Sequence, residues 1–110
     1  MQVPADSAND FIALELARLA ANRIIEKPAC LREGLARVVR WRGRAAGGGR
    51  AAAFAEWEEI IQTKTPREIA TLLMAEGHEA ARLRSSMPFI QPPFFTEAER
   101  LAVIARAFET

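Results

Sequence analysis

A chain of 110 residues, half of them apolar, is long enough for one domain with a modest core. Fifteen Lys and Arg oppose fourteen Asp and Glu, so bulk charge points to neither nucleic acid nor membrane. A single Cys excludes an internal disulfide framework and a Cys-rich zinc site, and one His with no Tyr leaves little for acid–base chemistry.

Ala supplies 22 residues and Arg thirteen of the fifteen cations, and both are good helix formers. The longest uncharged run, Ser85 to Thr96, has twelve residues and three prolines, whereas a membrane-spanning helix needs about 20 apolar residues. Asp6 and Asp10 stand where a secretory signal would carry basic residues. With a lone Cys, these features predict a cytoplasmic protein with no membrane partner.

Asp6 or Ser7 can cap a first helix that runs to about Lys27. Ile12, Leu16, Leu19 and Arg23 share one stripe of it, with Phe11, Ala20 and Ile24 beside. Pro28 closes that helix or opens a second, which runs to about Trp41 with Leu31, Leu35, Val38 and Arg42 on its stripe. Gly34 weakens this second helix by about 1 kcal/mol relative to Ala. Cys30 lies near its N-terminus and reads as a buried structural thiol, because His78 is the sole residue that could activate it. Gly43 to Arg50, with three consecutive glycines, predict a flexible loop.

A third helix spans about Ala51 to Gln62. Phe54, Trp57 and Ile61 form its apolar face, and Glu56, Glu58 and Glu59 its solvated one. Thr65-Pro66-Arg67-Glu68 is a capping box that opens a fourth helix, with Ile69, Leu72 and Leu73 inward and Gly77 as the residue after its end. A short fifth helix covers about His78 to Arg84. Ser85 to Phe95 then holds Pro88, Pro92 and Pro93, which forbid a helix and predict an extended strap across the others. Thr96-Glu97-Ala98-Glu99 is a second capping box. It starts a last helix whose stripe is Leu101, Ile104 and Phe108. The expected fold is all-α: a single domain over residues 1–110, five or six short helices, and a Pro/Phe-rich strap before the last of them.

Few constellations carry chemistry. Glu76, His78 and Glu79 are too close in sequence to share a helix face, so neither a metal nor any other cofactor is expected. Gly47-Gly48-Gly49-Arg50 lacks the Gly-Lys-Ser/Thr that a phosphate-binding loop requires. Charge layout says more. From Arg32 to Arg50 six arginines stand against Glu33 alone, and from Phe54 to Glu79 six glutamates stand against Lys64 and Arg67. A basic helix and loop of this kind, with Trp41 interleaved, can contact phosphates or equally meet an acidic protein surface, or be a solvated face paired with the acidic helix.

The expected function is therefore that of a small non-enzymatic binding module docking on a partner protein. Inhibitors and adaptors carried by phages and mobile elements are of this class. Arg37, Arg40, Trp41, Arg44 and Arg50 are the candidate docking residues, joined by Phe89 and Phe94 of the strap. The alternative is a helix-turn-helix DNA-binding regulator built on residues 65–86, with Arg82 and Arg84 on the DNA. Its turn glycine would belong at Met74 rather than Gly77, and His78 and Glu79 sit where base-reading side chains are normally found.

Overall fold

Both capping boxes form. The Thr65 hydroxyl accepts from the Glu68 N–H at 3.1 Å while the Glu68 carboxylate accepts from the Thr65 N–H at 2.9 Å. Thr96 and Glu99 repeat the exchange at 3.1 and 2.8 Å. In this computed structural model, which describes residues 5–45 and 49–109, they open two of six helices. These are α1 (Ala5–Glu26), α2 (Leu31–Ala45), α3 (Gly49–Thr63), α4 (Pro66–Met74), α5 (His78–Arg84) and α6 (Glu97–Ala107). A 3-10 turn at Pro28–Cys30 joins α1 to α2. No strand occurs among the described residues, and the fold is all-α.

Helices α2 and α3 pack as one antiparallel hairpin, and α1 lies along α4, with α5 and α6 against α1. Between these pairs sits a core of Ile24, Val38, Phe54, Trp57, Ile69 and Leu73, closed by Met87, Phe89, Phe94 and Phe95. The strap is thus the lid of the core. Phe89 stands edge-on to Trp57 at 5.2 Å between ring centroids and meets Phe94 at 5.1 Å. Gln91 turns the chain between the two rings at a φ of 63°. Trp57 is fully buried, and its indole N–H donates to the Leu83 carbonyl at 2.8 Å, so its one polar atom is satisfied.

Four sequence expectations are corrected. Gly43, Arg44 and Ala45 belong to α2, and Gly49 and Arg50 to α3, so the flanks of the expected loop are helical; residues 46–48 lie outside the described residues. Gly77 is the residue before α5, at φ 104°, while Ala75 ends α4 in an extended conformation. The buried seam of α1 is Ala17, Ala20, Ala21 and Ile24, because small side chains let α4 approach closely. Leu16 and Leu19 flank that seam, and Phe11 is exposed. Helix α6 buries Val103 and Ala107, leaves Ile104 half-buried and exposes Leu101 and Phe108. An apolar face on each side of α6 leaves periodicity nothing with which to choose between them.

Candidate functional site

Where the α2–α3 hairpin closes, five elements leave an open cleft of about 630 Å³. The end of α2 contributes Trp41, Arg44 and Ala45, and the start of α3 contributes Arg50 and Phe54. Trp41 and Phe54 hold each other at 5.3 Å between ring centroids and form one wall. The opposite wall is the first half of α1, with Ile12, Ala13 and Leu16. The end of α5 and the strap complete it through Arg84, Ser85, Ser86, Met87 and Ile90.

Its chemistry is one-sided. Three arginines line the cleft with no carboxylate among the described side chains, and the rest of the surface is mainly aliphatic and aromatic, with Asn9, Ser85 and Ser86 as its polar members. Arg84 is fixed in place: its Nη1 donates to the carbonyls of Leu73 at 3.2 Å and Ala75 at 2.6 Å, capping the C-terminal end of α4. A five-donor guanidinium held by one nitrogen keeps its Nε and Nη2 donors for another acceptor. Arg44 and Arg50 are exposed, and among the side chains described, those of residues 8–45 and 49–109, no carboxylate lies within ion-pair distance of either. Such a surface suits an anion joined to an apolar group.

The cleft unites residues from both sequence readings. Trp41, Arg44 and Arg50 came from the docking set and Arg84 from the DNA-binding set. The remaining predicted residues lie elsewhere. Phe89 and Phe94 are 0% and 1% exposed, so the expectation that they contact a partner is corrected: their rings fill the core that the strap closes. Arg37 donates to the Pro88 carbonyl at 2.9 Å and to that of Ile90, and its guanidinium carbon lies 6.0 Å from the centre of the Phe94 ring. Burial lowers its pKa, helped by the nearby charge of Arg40. Arg37 therefore ties the strap to α2 rather than facing a partner. Arg40 is exposed on α2 outside the cleft lining.

Arg82 is gripped by two carboxylates, Glu79 within α5 and Glu56 across on α3, at 2.8 to 3.1 Å. Those bonds, Glu79 first, raise its pKa. Cys30 is buried and its thiol pKa is pushed up, chiefly by desolvation, which keeps it protonated. His78 is exposed at the start of α5. Among the described residues no three His, Cys, Asp or Glu side chains converge as a metal site, and no helix is long and apolar enough to cross a membrane.

Sequence reasoning missed Ser85, Ser86 and the α1 wall as parts of a site. The α1 signal was present: Ile12 and Leu16 head its predicted apolar stripe, which leaves the core and continues as the cleft wall. No protein-family model, curated protein or solved structure matches the chain.

Proposed function

We propose that the chain is a small binding module that docks on a partner protein, and that the arginine-lined cleft is where the partner is held. The observation that carries this reading is the lining itself. Arg44, Arg50 and Arg84 surround a largely apolar surface headed by Trp41 and Phe54, with no acid among the described side chains of the lining. The occupant is a partner segment in which an acidic side chain neighbours a large apolar one. The carboxylate meets the guanidinium groups while the apolar group displaces water from the walls. A cleft of about 630 Å³ lies in the size range of sites that enclose small ligands.

The commitment of Arg82 to Glu56 and Glu79 weighs against the reading as a DNA-binding regulator. It folds arginine charge into the protein's own ion pairs, whereas DNA affinity grows with each phosphate neutralised.

The test is affinity capture from nuclease-treated lysate of the source cells. Wild type, an Arg44→Glu/Arg50→Glu variant and an Arg32→Glu control on the same helix are compared. A protein held by wild type and control but lost by the double variant supports the reading. Capture unaffected by the double variant contradicts it. A bound fraction that disappears with nuclease, with duplex affinity falling steeply as salt rises, returns the assignment to DNA.

A further inference from the structure

Charge and spacing in the cleft narrow the choice of acid that it holds. Arg44, Arg50 and Arg84 share the lining, and among the described side chains no other ionisable group does. A single carboxylate leaves two of these three positive charges unanswered. A phosphomonoester carries a charge of about −1.5 to −2 at pH 7 and presents strong acceptor oxygens. The supply of donors points the same way. The Ser85 and Ser86 hydroxyls donate to the carbonyls of Arg82 at 2.6 Å and Leu83 at 3.4 Å, so the arginines hold most of the donors still open on the lining. A group that only accepts, and does so through several oxygens, fits that supply.

Spacing says what bears the phosphate. Trp41 and Arg44 stand three residues apart on α2, and Arg50 and Phe54 four apart on α3, so each ring shares a helix face with an arginine, about 5–6 Å away at Cβ. Trp41 is half-buried, which leaves part of its ring open to an occupant, and Phe54 backs it. An anion and an apolar group held that close together are best joined within one side chain. Successive side chains of an extended segment point to opposite faces and do not enter one cleft together.

We infer that the cleft takes a phosphorylated tyrosine of the partner protein, with its phosphate among the three arginines and its ring against Trp41. This rests on the cleft being the docking site, and it makes the acid and the apolar group of that reading two halves of one side chain. Arg84 is the fixed member, held through Nη1 on the end of α4. The exposed Arg44 and Arg50 close on the phosphate from the two ends of the hairpin. Offset or edge-on packing of the phenol ring on the indole adds to the charge-assisted bonds.

Fluorescence titration of the full chain with capped peptides tests it. One set places phosphotyrosine, sulfotyrosine, phosphoserine or tyrosine between two alanines, and a further peptide carries Glu-Phe. Sulfotyrosine keeps the ring and the oxygens but has a single negative charge, whereas phosphoserine keeps the phosphate and drops the ring. The phosphotyrosine peptide should bind at least about tenfold tighter than either, and the tyrosine peptide should not bind. Arg44→Glu/Arg50→Glu alters two exposed residues, so circular dichroism should hold while the phosphotyrosine peptide is lost. Sulfotyrosine or phosphoserine binding as tightly as phosphotyrosine overturns the inference, and so does phosphotyrosine binding that survives the double variant. Adenosine monophosphate binding more tightly than the phosphotyrosine peptide assigns the cleft to a nucleotide and overturns it equally. If the Glu-Phe peptide matches phosphotyrosine, the inference falls and the docking reading stands. If no peptide binds, both fall.

Discussion

Gly34 shows how a residue can be read correctly for its helix and wrongly for its fold. Helix propensity alone makes it a weakness of about 1 kcal/mol. In the structure a Cβ at that position would lie 2.7 and 2.9 Å from two carbons of the Phe89 ring, which is wedged between Trp57 and Phe94. Gly34→Ala therefore gains propensity but overpacks the core, a cost of about 1–3 kcal/mol. The account predicts a net loss that lowers Tm by roughly 5 °C in a thermal melt. A rise in Tm would show that the ring yields freely. Arg37 is the converse case. Its acceptors, the carbonyls of Pro88 and Ile90, lie more than fifty residues away, so nothing local in the sequence separates it from the exposed Arg40. Arg37→Ala should cost about 1.5–3 kcal/mol, the worth of hydrogen bonds from a charged donor, measured by urea denaturation. An unchanged midpoint would mean that the strap is held by its aromatic rings alone.

At the scale of the element, local chemistry was legible and facing was not. The capping boxes at Thr65 and Thr96, the short α5 and the non-helical strap depend on residues within one turn of each other, and all are found as read. Thr65→Ala and Thr96→Ala should each cost about 1 kcal/mol of stability. The caps also carry a pH dependence. Thr65, chiefly through its backbone N–H, holds the Glu68 carboxyl below its ordinary value of 4.5. Arg82 and Arg100 do the same for Glu79 and Glu97. A carboxyl whose pKa is lower in the folded chain contributes stability above its unfolded value and loses it as pH falls through the folded one. Tm should therefore hold near neutrality and drop as pH falls below about 4.5, and Glu68→Gln should make that acid limb shallower. An unchanged acid limb in the variant would contradict this role for the box. The face of α6 was misread because its two sides differ in side-chain size rather than in polarity. The glycine-rich stretch was read as a longer loop than the described residues permit, because Arg44, Ala45 and Arg50 extend the flanking helices into it.

For the whole molecule, the opposed charge of the two middle segments resolves into internal pairing and a remainder. Arg42 meets Glu58 at 2.7 Å and so ties the basic segment to the acidic one, while Glu56 is taken up by Arg82 of α5 at 2.9 Å. Arg44 and Arg50 keep no such partner among the described side chains and converge on the cleft with Arg84. No reading along the chain could assemble that site, since its lining runs from Asn9 to Ile90 and depends on how α1, the hairpin and the strap meet. Trp41 also offers a reporter: it is half-buried in the cleft while Trp57 is sealed in the core. A seated ligand should shift the emission of wild type and leave that of Trp41→Phe unchanged. Equal shifts in both would place the ligand elsewhere.

The most direct test of the cleft is selection of binders from a random peptide display library against the folded chain. Enriched peptides should join Asp or Glu to a neighbouring large apolar residue, and Arg44→Glu/Arg50→Glu should abolish their binding while circular dichroism remains that of wild type. Enrichment of peptides without acids, or binding that survives the double variant, would contradict the account.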